Sequence, residues 1–168
     1  MPRIPVEIIY MQMAYQTAKL SYAERRRVGC IIVKDEQIVS FGYNGTPHGF
    51  NNACEETQTR RIENSDHKRI LEEKQYTCDD ECCHKQTTKR EVLHAESNAI
   101  TKLAKSTMTS DGADLYTTTA PCFDCAKLII QAGIKRVYYS EDYRDMSGVE
   151  LLNKANIEVK EVICWNAE

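Results

Sequence analysis

No run of this chain approaches the roughly 20 consecutive apolar residues that a membrane-spanning helix needs. Its longest apolar stretches are short ones such as Cys30–Val33. An excess of positive charge is missing too: 22 Lys and Arg face 25 Asp and Glu, for a net charge of −3. A large nucleic-acid footprint usually needs a basic face, so the balance disfavours a nucleic-acid partner. It leaves room for a small phosphate-bearing molecule. The first residues, with Pro2, Arg3, Pro5 and Glu7, hold no apolar signal-peptide core. Internal repeats and low-complexity tracts are absent. The expectation is a cytoplasmic globular protein with no membrane partner, its 168 residues forming one domain.

Cysteine, by contrast, is plentiful at eight residues. In a chain of this size with no export signal, thiols read as metal ligands before disulfides. Two short motifs decide where. His94-Ala95-Glu96 is followed by Pro121-Cys122-Phe123-Asp124-Cys125. One imidazole and two thiolates hold a tetrahedral zinc with its fourth position left for water, the arrangement of a catalytic site. Cys122 and Cys125, three apart, share one face of a first helical turn. Glu96 is not needed as a ligand and is free to move protons. A redox dithiol or half of a structural finger is the competing reading of Cys-x-x-Cys, and the preceding His-x-Glu weakens it.

Apolar spacing predicts a helix over residues 6–20, with Ile9/Met13 and Tyr10/Ala14/Ala18 as its inner stripe. Val28–Lys34 and Gln37–Tyr43 read as a hairpin around Asp35-Glu36. Gly42-Tyr43-Asn44-Gly45-Thr46-Pro47 then breaks the strand. From Glu55 to Glu91 about half the residues are charged and few are large and apolar, so this insert cannot stabilise itself by burial alone. Afterwards helices are expected from His94, from Cys122 and over Gly148–Ala155. Strands are expected at Asp114–Thr119, Arg136–Ser140 and Ile157–Ile163. A hairpin followed by β-α-β-α-β implies a mixed sheet with helices over its faces. Cys30 and Cys164 fall in strand patterns and read as buried free thiols.

His94-Ala95-Glu96-Ser97-Asn98-Ala99-Ile100 with Pro121-Cys122-Phe123-Asp124-Cys125-Ala126-Lys127 resembles the cytidine/deoxycytidylate deaminase superfamily, whose H-x-E…P-C-x-x-C signature it carries. Val28-Gly29-Cys30 and Gly42-Tyr43-Asn44-Gly45 make the chain similar to its deoxycytidylate (dCMP) deaminases, phage-type enzymes included. The resemblance implies a cytidine deaminase-like three-layer α/β/α fold with a five-stranded mixed sheet. It implies conversion of dCMP and water to dUMP and ammonia, supplying dUMP for thymidylate synthesis. It implies further that a zinc-activated water attacks C4 of cytosine, with Glu96 moving protons and His94, Cys122 and Cys125 as ligands. The location expected is cytoplasmic, in the host if the chain is phage-encoded.

The same resemblance assigns Asn44 to the sugar and Ala95 to substrate binding; the bland reading of Asn44 is a turn residue. The monophosphate needs donors, for which Arg26, Arg27 and the Tyr143 hydroxyl are candidates; a solvated basic turn is the alternative for the arginines. Phe123 either touches the base or packs in the core. Relatives are homo-oligomers, trimers or hexamers, activated by dCTP and inhibited by dTTP with Mg²⁺. Gly45, Thr46 and the Arg25–Arg27 run are the candidates for that second nucleotide.

Cys54, Cys78, Cys82, Cys83 and His84 suggest a second, structural zinc that would stabilise the insert. Cys54, Cys78 and His84 are the first choices, with Cys83 or Cys82 as the fourth ligand. His84 lies ten residues before His94, where phage-type relatives place a ligand, while Ala23 and Val92 stand where others are expected. Free surface thiols are the alternative. His48 and His67 read as solvated loop residues. Two other functions compete: a nucleic-acid editing deaminase acting on tRNA adenosine, disfavoured by the acidic balance, and a non-enzymatic zinc scaffold, for which Glu96 has no use.

Overall fold

A computed structural model describes residues 3–164. The ends of the expected 1–168 domain, residues 1–2 and 165–168, lie outside the described residues. In chain order the elements are α1 (Val6–Ala18), β1 (Gly29–Lys34), β2 (Gln37–Tyr43), β3 (Glu55–Arg61), α2 (Ser65–Glu73), β4 (Thr77–Cys78), β5 (Cys82–Thr88), α3 (Ala95–Leu103), β6 (Asp114–Thr119), α4 (Phe123–Gln131), β7 (Arg136–Glu141), α5 (Ser147–Lys154) and β8 (Glu158–Glu161).

The main sheet has the order β2-β1-β6-β7-β8. Its first half is antiparallel: Asp35 and Glu36 turn back with positive φ, giving the twist a two-residue hairpin needs, and β1 also pairs antiparallel with β6. Its second half is parallel, and parallel neighbours need crossovers, supplied by α4 and α5. Strand β1 is buried on both faces. Cys30 and Ile32 pack with Ala95, Ala99, Leu115, Ile129, Val137 and Leu152 beneath α3, α4 and α5. Ile31 and Val33 pack with Met11, Ala14, Tyr116 and Tyr138 beneath α1. The expected five-stranded mixed sheet between two helical layers is what the chain forms.

Helix α1 departs from its predicted stripe. Met11, Ala14 and Ala18 face the sheet, whereas Ile9 and Met13 are exposed. The helix is apolar nearly all round between Glu7 and Lys19, so periodicity alone could not say which side faces inward. The last strand is shorter than expected, and Cys164 lies beyond it, with its thiol against the Ile8 carbonyl oxygen at 3.7 Å.

The insert folds as a second, three-stranded sheet, β3-β5-β4, with α2 beside it. Between residues 55 and 91 only Leu71 and Cys83 are buried, so burial holds little of it together. Backbone pairing from Glu55↔Thr88 to Arg61↔Cys82 does that instead, with a Cys78–Cys83 disulfide across β4 and β5. His67 sits on α2 rather than in a loop: its backbone N–H donates to the capping Asn64 side chain at 2.8 Å.

Candidate active site

His94 and Cys122 are both N-cap residues, each extended just before its helix turns, α3 and α4 respectively. Neither side chain caps its own helix, so both project past the helix starts. Cys125 follows on the first turn of α4. The two helices lie side by side on one face of the sheet, and their starts meet beyond the end of β6. The His94 Nδ1 is 3.3 Å from Cys122 Sγ and 3.5 Å from Cys125 Sγ. Zinc–sulfur and zinc–nitrogen bonds of about 2.3 and 2.0 Å in a tetrahedron separate a sulfur and a nitrogen donor by about 3.5 Å. The trio therefore fits zinc, and among the described residues it is the group able to hold a metal ion.

The electrostatics favour charge on one of the three ligand candidates, Cys122. Hydrogen bonding from Cys125, then from His94, pulls the Cys122 thiol well below its ordinary range. Its partner Cys125 is pushed up by that same hydrogen bond and by burial. His94 is raised, chiefly by its hydrogen bond to Cys122. A thiolate is thus favoured at the mouth of two helix dipoles, where negative charge is stabilised.

Glu96 is 4 % exposed, on the first turn of α3. Its Oε2 accepts a 3.6 Å contact from Cys125 Sγ. Burial, partly offset by backbone hydrogen bonding and the His94 charge, pushes the carboxyl up to about 7. A carboxyl poised there can both take and give a proton near neutrality.

The loop after β2 is tied to this centre. Gly45 and Leu93 exchange backbone hydrogen bonds at 3.1 and 2.9 Å, next to His94. The Asn98 side chain donates to the Tyr43 carbonyl at 2.8 Å.

A family model described as the cytidine and deoxycytidylate deaminase zinc-binding region matches residues 6–141. The chain belongs to the cytidine and deoxycytidylate deaminase family. It is 34% identical over 163 residues to the ComE operon protein 2 of Bacillus subtilis, covering 96% of this chain and 74% of that protein. It is 32% identical over 165 residues to the deoxycytidylate deaminase of Enterobacteria phage T4, covering 89% and 86%. A dCMP deaminase of cyanophage S-TIM5, solved in complex with dCMP and dUMP, superposes with a TM-score of 0.74 at 35% identity, over 96% of this chain and all of that one.

Asn44 precedes Gly45, which is bonded to Leu93 beside His94, and its amide already works on the backbone: Oδ1 accepts from Val28 N at 2.8 Å and Nδ2 donates to the Arg26 carbonyl at 2.9 Å. One N–H and one lone pair remain for a ligand. Both the turn role and a ligand role are thus compatible with its geometry. Ala95 is the first residue of α3, where a backbone N–H has no intrahelical partner. Arg26 pairs with Glu141 at 2.6 Å, and Glu141 also accepts from the Tyr15 hydroxyl at 3.1 Å. Arg27 donates to the Ala23 carbonyl at 3.3 Å. Tyr143 is half-buried with Arg144 over its ring. Thr46 donates to the Asn51 carbonyl at 2.7 Å inside its own loop. Phe123 is 46 % exposed beneath Lys127, which removes the core reading.

The second metal cluster does not form among the described residues. Cys54 sits at one end of the β3–β5 pair, where its carbonyl accepts from Lys89 N. Cys83 lies opposite Arg60, five residues along β5 from Thr88, or about 17 Å at strand rise. Cys78 and Cys83 are bonded to each other. His84 turns to Thr59 and Asp79, and Cys82 is a free thiol. Cys54 precedes β3, Cys78 lies on β4 and Cys82, Cys83 and His84 on β5, and the β3–β5 pair carries Cys54 away from the rest.

Residue-by-residue reading of the motifs gave no role to Asn98, although it lies within the His94 motif, four residues on. Ser40, which donates to the Ala99 carbonyl at 2.7 Å, had no sequence signal at all. Elemental analysis of the purified protein is expected to give one zinc per chain, unchanged by Cys54→Ser or Cys78→Ser and lost in Cys122→Ser. A second zinc lost with Cys54 would restore the four-ligand cluster.

Proposed function

We propose that the chain catalyses zinc-dependent hydrolytic deamination of dCMP to dUMP and ammonia, supplying dUMP for thymidylate synthesis. The observation that carries this reading is the buried Glu96, poised to take and give protons beside a His94–Cys122–Cys125 trio with zinc-ligand spacing. The likeness to phage dCMP deaminases over nearly the whole chain supports dCMP as the substrate. The net charge of −3 supports a free nucleotide over a nucleic acid.

Zinc bound by this trio supplies Lewis acidity that brings the pKa of a water near 7. Glu96 accepts a proton from the attacking water and delivers it to N3 of the cytosine as the oxygen bonds to C4. It then passes the second proton to the departing amine as the C4–N bond breaks. The free N–H at the start of α3, on Ala95, suits the pyrimidine carbonyl. Asn44 offers its remaining donor and acceptor to the sugar. Arg26 and the Tyr143 hydroxyl suit the 5′-phosphate, which would replace Glu141 as the partner of the guanidinium.

The regulated form of the reaction belongs to the same proposal. Gly45, Thr46 and Arg27 would hold dCTP as activator or dTTP as inhibitor, with Mg²⁺, in a homo-oligomer working in the cytoplasm. The support is the family resemblance and the closeness of that loop to His94.

Glu96→Gln should lower turnover of dCMP at least about 100-fold while zinc content stays unchanged. Ammonia release from dCMP, dCTP, deoxycytidine and a tRNA anticodon stem measures this, and activity confined to the stem would overturn the assignment. Arg26→Ala should raise KM for dCMP about tenfold, the loss of one charge-assisted contact, with kcat and the reaction of deoxycytidine little changed. Saturation by dCMP should be sigmoidal, made hyperbolic by dCTP and more sigmoidal by dTTP with Mg²⁺; curves indifferent to both nucleotides would remove the regulation.

A further inference from the structure

Three glycines of this chain lie where a methyl group would strike backbone. Gly42, on β2, faces α3: an added Cβ would meet the Ala95 carbonyl oxygen and stand 2.5 Å from Ala99 N. Gly148, in the first turn of α5, faces the start of α4: an added Cβ would meet the Pro121 carbonyl oxygen and stand 2.7 Å from the Cys122 carbonyl carbon. Gly29, on β1, faces α1, with Ala18 N at 2.5 Å and the Ala14 carbonyl oxygen nearer still. All three have negative φ, so close approach, and not a left-handed conformation, explains the missing side chain.

The helices behind the first two are the ones that carry the metal trio. Gly42 touches the helix that begins at His94 and bears Glu96; Gly148 touches the peptide unit of Cys122 itself. Helix α1, behind Gly29, carries no ligand. We propose that Gly42 and Gly148 are positioning residues for the metal centre. Each lets a neighbouring element sit directly on one of the two ligand-bearing helix starts and so fixes their separation. The inference rests on His94, Cys122 and Cys125 being ligands, as proposed above.

Magnitudes support an effect at the metal. Ordinary contact for a Cβ begins at 3.4 Å, so alanine at 148 requires a shift of about 0.7 Å (3.4 − 2.7) at the Cys122 carbonyl carbon. The same subtraction gives about 0.9 Å (3.4 − 2.5) at Ala99 N for alanine at 42. A zinc site tolerates departures of only about 0.2 Å in its ligand distances. Part of each shift will be absorbed elsewhere in the packing, but a third of it is enough to matter. Two hydrogen bonds keep α3 from simply sliding away from β2: Ser40 Oγ to the Ala99 carbonyl at 2.7 Å, and Asn98 Nδ2 to the Tyr43 carbonyl at 2.8 Å.

Gly29 supplies a matched control. Its collision with α1 copies that of Gly42 with α3 atom for atom, a helical carbonyl oxygen and the N–H and Cα of a residue four further on. The test is cobalt(II) binding to metal-free full-length protein, followed by thiolate-to-cobalt absorption, for the wild type and for Gly42→Ala, Gly148→Ala and Gly29→Ala. Cobalt affinity should fall about tenfold or more in Gly42→Ala and Gly148→Ala, with a shifted thiolate band in Gly148→Ala. Gly29→Ala should lose as much thermal stability as Gly42→Ala while keeping wild-type affinity and band. Equal weakening in all three, or unchanged affinity in the first two, overturns the proposal. A wild type that binds no cobalt overturns the ligand assignment beneath it. If either glycine variant does not fold, Ser40→Ala, which adds no bulk, gives the second arm. It should weaken cobalt binding in the same direction, and unchanged affinity there counts against the proposal.

Discussion

Two helices beginning at one point is the constraint on which the rest of this structure depends. Each start exposes N–H groups with no partner inside the helix and the positive end of a dipole. Placing two of them together is unfavourable until negative charge arrives. Here it is supplied by the Cys122 thiol, held low by its hydrogen bonds to Cys125 and His94, with His94 Nδ1 3.3 Å away. The mixed sheet makes the meeting possible. Its antiparallel half brings the loop after β2 to the start of α3, and the β6–α4–β7 crossover brings α4 to the same end.

Glu96 illustrates what that placement does to chemistry. A carboxyl taken out of water resists ionisation, and burial holds this one near neutrality at about 7. The nearby imidazole and the backbone pull the other way without cancelling the effect. The same side chain on the exposed face of α3 would be a permanent carboxylate, useless as an acid near pH 7. Its position two residues after His94, on the inward first turn, is what gives it both proton states.

The insert shows the opposite economy. With Leu71 and Cys83 as its only buried residues between 55 and 91, it is held by strand pairing and one disulfide. It is attached to the rest through polar contacts such as Gln86 to Glu24 at 2.8 Å. Burial alone does not stabilise this segment. The remedy inferred from it, a zinc held by Cys54, Cys78, Cys83 and His84, was not what the described residues form. Strand rise separates Cys54 from the others, and alternation along β5 turns His84 away from Cys83.

The two halves of the proposed site were legible from sequence because each is local, whereas their meeting across 28 residues was not. Cys122 and Cys125 share a helical turn, and His94 and Glu96 lie two residues apart, so spacing set the geometry within each pair. The hairpin and the β-α-β alternation were legible for the same reason. What depends on elements distant in the chain had to wait for the fold. Which face of the largely apolar α1 lies inward was decided by Ile31, Tyr116 and Tyr138 across the layer. The use of the Asn44 amide on residues 26 and 28 was decided by how the loop packs. Sequence pointed to His94, Cys122 and Cys125 as candidate ligands and to Glu96 as the candidate proton carrier; tertiary structure decided how far apart the helices that carry them stand. That distance is set by close backbone contacts at Gly42 and Gly148, between segments that local spacing cannot relate.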